Sequence, residues 1–215
     1  MPDREISSDR LSPWWRNSVI LVLALGFTVL IWIAVRAYKD APPIPEKVIG
    51  TSGETIFTRD DILAGQQVFL KYGLMENGTI WGHGAYLGPD FSAEYLHTLA
   101  IDANEMWAKQ TYNRALSELS SVEQTSVNAE IRQLLKQNRY DPQTSTLTYS
   151  SPEIYSYRKQ IAKWKDYFSQ SALNRGLLPK HISDPSELQQ LTAFFFMDGL
   201  GLRSKPAREN LFLHE

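Results

Sequence analysis

The sequence contains no cysteine, and this absence removes several classes of protein at once. Without cysteine there is no disulfide framework, no thiolate nucleophile, no zinc–thiolate site and no haem attached through thioether bonds. Charge of one sign is also lacking, since 22 basic and 24 acidic side chains leave a formal net charge of −2. A near-neutral chain of 215 residues argues against a protein built around nucleic acid.

Apolar side chains are plentiful by contrast: 43% of residues are hydrophobic and 12% aromatic, so the chain can bury a core. The mean hydropathy of −0.31 conceals an uneven distribution, because residues 17–35 carry no charged side chain. As a helix these residues span about 28 Å at about 1.5 Å per residue, close to the hydrocarbon thickness of a bilayer. We therefore predict a transmembrane helix over residues 17–38, preceded by a tail at residues 1–16.

Aromatic residues flank this segment, as they do at membrane–water interfaces. They are Trp14 and Trp15 before it, and Trp32 and Tyr38 towards its end. A signal peptide and a buried core helix are the alternatives, and Arg36-Ala37-Tyr38-Lys39 is a poor cleavage site for the first. Basic residues stand on both sides of the segment, so charge alone does not orient it.

A proline-rich stretch, Ala41-Pro42-Pro43-Ile44-Pro45, is typical of a stiff spacer, and we assign residues 39–57 to a linker. The pattern after it predicts a mainly α domain over residues 58–196, with a short strand at residues 146–149. Helix starts are predicted at Thr58, at Asp90 or Ser92, at Ser151 and at Pro185. The predicted inward-facing residues are Ile62, Gln66, Phe69, Leu70, Tyr95, Leu96, Leu99, Ala103, Met106, Trp107, Val127, Ile131, Leu134, Leu135, Ile154, Tyr157, Ile161, Trp164, Phe168, Leu188, Leu191, Phe194 and Phe195.

Candidate chemistry is sparse. His83 lies in a glycine-rich loop, where a histidine bonded to backbone competes with a ligand or proton-handling role. Glu94 and His97 share a helix face, but a metal site needs further ligands, and none is evident. Asp102 and Glu105 are explained by a solvated helix face. No nucleophile–base pair is present, so no catalytic residue is predicted.

Several segments together resemble the N-terminal region of quinol-dependent nitric oxide reductases. They are the apolar helix, the Ala-Pro-Pro-Ile-Pro-Glu spacer, the Gly-Gln-Gln-Val-Phe run from Gly65 and the Trp-Gly-His-Gly-Ala-Tyr-Leu-Gly-Pro-Asp-Phe run from Trp81 to Phe91. The similarity extends from about Trp14 to Phe196. It implies one transmembrane helix followed by an extracytoplasmic, cytochrome c-like helical domain that lacks haem.

The cytochrome c subunit of the related two-subunit reductases carries a similar run, Cys-x-x-Cys-His-Thr-x-x-Gly-x-Gly-Ala-Tyr. Registering Gly84-Ala85-Tyr86 on its end places Leu74 and Asn77 at the two cysteines and Gly78 at the histidine. The resemblance therefore implies that this chain binds no haem. The side chains expected to fill the haem volume are Phe69, Leu74, Met75 and Trp107.

In that subunit the Gly-Ala-Tyr loop packs on the membrane subunit near a bridging calcium ion. By resemblance, His83, Gly84, Tyr86 and Asp90 are interface candidates, and Gly84 and Tyr86 are candidate backbone ligands of calcium. The haem b, the non-haem iron and the catalytic residues of the family lie in a multi-helix segment beyond position 215, so the resemblance assigns no catalytic residue here.

The sequence after Phe196 departs from the family's expected Trp-Thr-Ala-Trp-Ala-Cys continuation. ATG is the only methionine codon and aspartate codons begin with G, so reading one base later turns Met197 into tryptophan. Suitable synonymous codons then reproduce the rest. We therefore expect residues 197–215 to be an aberrant tail, produced by a frameshift that truncates the reductase. A genuine short protein with an unrelated polar tail is the alternative.

The resemblance implies a single-pass protein of the cytoplasmic membrane with its domain on the periplasmic side. The family reduces two nitric oxide molecules to nitrous oxide with electrons from quinol. We expect this chain to be a scaffold that docks on the catalytic segment, to have the lipid bilayer as its other partner, and to be inactive alone. The alternative is a free-standing membrane-anchored binding or assembly module for a partner membrane protein.

Overall fold

A computed structural model describes residues 12–39, 43–169, 176–178 and 180–200, without the side chains of residues 198–200. The chain divides into two compact units, with the boundary between Ala41 and Pro42. Most of the predicted N-terminal tail, up to residue 11, and the predicted aberrant tail from residue 201 lie outside the described residues.

The first unit contains helix α1, Pro13–Lys39, which includes the predicted span at residues 17–38. Proline at the first helical position is favoured, because its missing N–H has no partner there. The apolar residues of α1 surround the helix rather than form one stripe, and none of its side chains is buried. Within the described part of the chain, α1 is the one helix long and apolar enough to cross a bilayer.

The second unit is mainly α, as predicted. Its described helices are α2 (Arg59–Lys71), α3 (Phe91–Tyr112), α4 (Ser121–Lys136), α5 (Ser151–Ser169) and α6 (Pro185–Leu200). Its described strands are β1 (Lys47–Ile49), β2 (Thr55–Thr58), β3 (Thr79–Ile80), β4 (His83–Gly84), β5 (Tyr140–Asp141) and β6 (Thr146–Thr148). Two 3-10 turns, Leu74–Glu76 and Leu116–Glu118, complete the regular structure.

Four strands form a small sheet in the order β2-β1-β6-β5, with β1 antiparallel to β2 and parallel to β6. β6 confirms the strand predicted at residues 146–149. β1 and β2 lie within residues 39–57, which the proline pattern assigns to a linker. Val48 and Phe57 are paired across these strands and buried, and burial of their apolar surface holds the segment on the domain.

Helix α2 begins at Thr58 as predicted, with a capping box in which the Asp61 carboxylate accepts a hydrogen bond from the Thr58 N–H at 2.8 Å. The inward face of α2 differs from the prediction, because Gln66 and Leu70 are exposed. The reason is a close crossing of α2 and α6 at Gly65, where a Cβ would lie 2.0 Å from the Gln190 carbonyl oxygen. The residues that α2 buries are Ile62, Gly65, Val68 and Phe69.

The other helices largely follow the predicted faces. The predicted residues that are buried are Tyr95, Leu99, Ala103, Val127, Ile131, Ile154, Tyr157, Trp164, Phe168, Leu188, Leu191 and Phe195. Those that are half-buried are Leu96, Met106, Trp107, Leu134, Leu135, Ile161 and Phe194. They contribute to two clusters: a large aromatic-rich core between the sheet, α2, α3, α5 and α6, and a smaller cluster between α3 and α4.

The interface between α3 and α5 contains a buried carboxylate. Asp102 is 2% exposed and accepts hydrogen bonds from the Ser156 hydroxyl at 3.0 Å and the Lys159 ammonium at 2.5 Å. The hydrogen bond with Asp102 raises the pKa of Lys159. The predicted solvated face is therefore wrong for Asp102, because its partners lie on a helix 54 and 57 residues further along the chain.

Candidate interface at the glycine-rich hairpin

The segment between α2 and α3 begins with a tight turn. Gly73 adopts a left-handed conformation with φ 60°, which glycine reaches without the steric cost of a Cβ. The 3-10 turn Leu74–Glu76 follows, and the Leu74 side chain enters the core with no exposed surface. The chain direction therefore reverses immediately after α2, while one apolar side chain secures the turn.

A short β-hairpin comes next. Strands β3 and β4 are antiparallel, with Ile80 opposite His83, and the two-residue turn Trp81–Gly82 joins them. Both turn residues have positive φ values, 56° and 74°, as a type I′ hairpin turn requires. Positive φ is ordinary for Gly82 but uncommon for a residue as bulky as Trp81. Such a conformation costs about 1–3 kcal/mol, so contacts around the turn must hold it.

Asp90 supplies those contacts. One carboxylate oxygen accepts hydrogen bonds from the Thr79 hydroxyl at 2.8 Å and the Gly82 N–H at 2.6 Å. The other accepts from the Ala93 N–H at 2.9 Å, which makes Asp90 the N-cap of α3. Partial burial by itself raises the pKa of Asp90, but these hydrogen bonds to the charged form outweigh it, and the pKa is lowered. One ionised side chain thus fixes both the hairpin and the start of α3.

The base of the hairpin leaves little room for side chains at position 84. Gly84 has φ 138°, and a Cβ there would lie 2.4 Å from the Gly78 carbonyl oxygen. The next residue, Ala85, donates its N–H to the Met75 carbonyl at 2.8 Å. The predicted interface residue Gly84 is therefore required by the local backbone.

The tip of the hairpin presents large side chains to solvent. Tyr86 is 84% exposed, Leu87 64% and Trp81 43%, and His83 is exposed as well. The Tyr86 hydroxyl donates to the Gly82 carbonyl at 3.3 Å, so the tyrosine reaches back over the turn. We name the exposed set Trp81, His83, Tyr86 and Leu87 the hairpin tip.

The structure brings the predicted interface residues together. His83 and Gly84 form β4, and Tyr86 and Asp90 both hydrogen-bond to Gly82. The sequence analysis missed Trp81 and Leu87 as members of this surface. A Trp-Gly pair between two short runs was a usable hairpin signal for Trp81, because glycine suits the second position of the turn; Leu87 had no comparable signal.

The positions aligned with haem attachment are filled by the domain's own packing. Leu74 is in the core, and Asn77 is 3% exposed and accepts a hydrogen bond from the Tyr167 hydroxyl at 3.0 Å. Gly78 has no space for a side chain, since a Cβ would lie 2.3 Å from the Pro89 carbonyl oxygen and 2.7 Å from the Phe91 ring. A histidine at position 78 would need this part of the domain to rearrange.

The predicted filling residues divide into two groups. Phe69 and Leu74 are buried in the aromatic-rich core, as expected. Met75 is 44% exposed, and Trp107 packs against the smaller α3–α4 cluster, so neither belongs to that core. Long-range partners take their place. The rings that pack closely around Phe91 are those of Phe69, Trp164, Tyr167, Phe168 and Phe195.

A groove beside the hairpin contains the Glu94–His97 pair. The Glu94 carboxylate forms an ion pair with the Lys163 ammonium across α3 and α5. Among the described residues, no group of three or more histidine or carboxylate side chains is placed to hold a metal ion. The pair therefore contributes to the α3–α5 contact through Glu94.

Helices around an aromatic core, with a structured glycine-rich hairpin ahead of α3, place this domain in the cytochrome c-like class. A family model for the cytochrome c-like domain of NorB, a nitric oxide reductase component, matches residues 45–201. This match covers most of the chain, and the chain belongs to that family. The match begins just before β1 and extends beyond residue 196. No curated protein matches the chain significantly.

Proposed function

We propose that the chain is the membrane anchor and docking domain of a quinol-dependent nitric oxide reductase. The observation that carries the proposal is the family match over residues 45–201, preceded by a helix able to cross a bilayer. In this proposal α1 spans the cytoplasmic membrane once, and the domain lies on the periplasmic side.

The sidedness has a direct test because the chain has no cysteine. A single Val122→Cys substitution, at a side chain that is 78% exposed, is labelled in intact spheroplasts with a membrane-impermeant maleimide. Periplasmic placement gives labelling without lysis. Labelling only after lysis contradicts the proposal, and the parent chain is the control for background.

The domain is proposed to bind no haem, although its family is cytochrome c-like. Supporting this, the residues at the attachment positions do not fit the group. No thiol is available, Gly78 has no room for a ligand side chain, and Phe91 occupies the adjacent space. Purification from cells that make c-type cytochromes tests the point. The expected preparation shows no Soret band, and a stoichiometric Soret band overturns this part of the proposal.

The hairpin tip is proposed to dock on the multi-helix catalytic segment. Exposed tryptophan and tyrosine side chains are favourable anchors for an interface, since they bury much area with little loss of conformational freedom. Their positions are fixed in advance by Asp90 and by the turn geometry, which reduces the entropy lost on binding. Binding of the chain to a separately prepared catalytic segment, measured with and without tip substitutions, tests this role.

Calcium is proposed to bind at the same contact. The backbone carbonyls of Gly84 and Tyr86 are the candidate ligands, and calcium prefers oxygen ligands of this kind. Two carbonyls leave most of the six to eight coordination positions to the partner and to water. A chelator is therefore expected to weaken docking while leaving the thermal unfolding of the free chain unchanged. Docking that is insensitive to both chelator and added calcium contradicts the ion's role.

The reduction of nitric oxide belongs, in this proposal, to the catalytic segment, whose haem b and non-haem iron supply the redox chemistry. The contribution of this chain is to anchor, to dock and to hold the hairpin in place. The purified chain, given quinol and nitric oxide, is expected to consume no nitric oxide. Turnover by the chain alone contradicts the assignment.

The tail after Phe196 is proposed to result from a frameshift. Helix α6 continues past this residue to Leu200, and the family match extends to residue 201. The nucleotide sequence beyond codon 196 decides the question: reductase-like sequence in the shifted frame supports the proposal, and its absence refutes it. An in-frame neighbouring gene for the catalytic core would instead favour a free-standing assembly module.

A further inference from the structure

The last two turns of α1 carry one aromatic and two basic residues on a single face. Trp32, Arg36 and Lys39 are spaced by four and three residues, which aligns their side chains along the helix. The guanidinium carbon of Arg36 lies 6.0 Å from the centre of the Trp32 ring, within cation–π range. The apolar ring therefore comes first along the helix and the two cations follow towards its end.

These cations have no carboxylate partner in the described part of the chain. Helix α1 contains no aspartate or glutamate between Pro13 and Lys39, and no described ion pair involves Arg36 or Lys39. The nearest acidic residue in sequence is Asp40, which lies outside the described residues. Two cations on one face next to the apolar segment form a surface suited to an anion at the membrane boundary.

We propose that Trp32, Arg36 and Lys39 form a binding site for the headgroup of an anionic phospholipid. The proposal rests on the membrane insertion of α1 proposed above. A guanidinium donates paired hydrogen bonds to phosphate oxygens, an ammonium adds a point charge, and tryptophan prefers the headgroup level of a bilayer. The ring holds the guanidinium at the depth where the phosphodiester lies, and Lys39 adds attraction for net negative charge.

The opposite end of α1 provides a natural comparison. It carries Trp14, Trp15 and the single cation Arg16. In the described residues, no cation lies over the Trp14 or Trp15 ring, in contrast to Arg36 over Trp32. A site specific to the Trp32 end therefore differs from general attraction between basic residues and a negative surface.

The test uses the full chain in nanodiscs of phosphatidylcholine with a minor share of phosphatidylglycerol. Native mass spectrometry then measures which lipids remain bound after release. The parent chain is expected to retain phosphatidylglycerol several-fold over its share, and R36Q is expected to lower this enrichment about fivefold, as for one basic residue near a charged membrane surface. The matched control, R16Q, is expected to leave the enrichment unchanged, and D40N to leave it equal or higher.

The outcomes separate the alternatives. Equal losses in R36Q and R16Q, or no enrichment in the parent chain, overturn the site. Loss of enrichment in the presence of millimolar inorganic phosphate shows that the site recognises free phosphate, and this overturns the lipid assignment. Failure of α1 to remain in the membrane under alkaline extraction refutes the proposed function itself, and this result is distinct from loss of lipid preference in a chain that is inserted.

Discussion

The ring of Phe91 lies flat against the ring of Phe195, with centroids 4.7 Å apart and planes 3° from parallel. Phe91 is the first residue of α3 and directly follows Asp90, which anchors the hairpin. Phe195 is a fully buried residue of α6. The stacked pair therefore connects the base of the hairpin to the central helix, in the place where position 78 has no room for a side chain.

Gly78→Ala is expected to destabilise the domain by about 1–3 kcal/mol, the usual cost of overpacking. The added methyl would meet the Pro89 carbonyl and the Phe91 ring. Urea unfolding of the full chain in detergent, followed by the fluorescence of buried Trp164, measures the change. Gly82→Ala is the control, because that position has open space and only the positive φ of 74° opposes a side chain. Gly78→Ala as stable as the parent chain would contradict the packing described.

Asp90→Asn is expected to loosen the hairpin and to alter the dependence of stability on pH. The folded-state pKa of Asp90 is lowered, so its contribution is fully present above the unfolded pKa of about 3.9 and is lost as the pH falls through the folded value. The difference in unfolding free energy between parent and variant should therefore be constant from about pH 5 to pH 7 and shrink below about pH 4. A difference that does not vary with pH contradicts the charged-state role.

Hydrogen exchange gives an independent measure of the same substitution. The Gly82 N–H donates to the Asp90 carboxylate at 2.6 Å and should exchange faster in Asp90→Asn. Amides in α4, which lies apart from the hairpin, serve as the internal reference. Equal acceleration throughout the domain would indicate global destabilisation rather than a loosened hairpin.

Gly65→Ala is expected to disrupt the crossing of α2 and α6. A methyl group would lie 2.0 Å from the Gln190 carbonyl oxygen, and that atom belongs to helical backbone that cannot easily move. We expect a loss of at least about 2 kcal/mol in unfolding free energy. Gln66→Ala, at the adjacent exposed position, should stay within about 0.5 kcal/mol of the parent. Similar losses in the two variants would contradict the crossing.

Asp102→Ala is expected to cost about 1–3 kcal/mol, because the buried Ser156 hydroxyl loses its acceptor. Lys159→Gln should cost less, since the lysine side chain is 54% exposed and its ammonium can return to water. Equilibrium unfolding of the two single variants and the double variant separates the pair term. A larger loss in Lys159→Gln than in Asp102→Ala would contradict this order.

Local signals predicted much of the fold. The capping residues Thr58 and Asp90, the helical periodicity and the strand at residues 146–149 were all confirmed. These features depend on neighbouring residues, so they are legible in a single chain. The face of α2 was partly mispredicted because Gly65 gains its meaning from Gln190 on a distant helix.

The candidate site was predictable to a similar extent. Its members lie within one short segment, so the motif identified them together, whereas the two positive φ values that expose Trp81 arise from folding around Asp90. Asp102 was misassigned for the same reason as Gly65: a partner on another helix decides whether a carboxylate is buried.

The central claim is that the hairpin tip docks this domain on the catalytic segment. The most direct measurement is the affinity of the full chain for a separately prepared catalytic segment in detergent, compared between the parent and Tyr86→Ala. The variant should fold normally, since Tyr86 is 84% exposed, and should bind at least about tenfold more weakly. Val122→Ala, at a similarly exposed apolar side chain away from the hairpin, should bind like the parent. Parent and Tyr86→Ala chains of equal affinity, with both folded, would contradict the account.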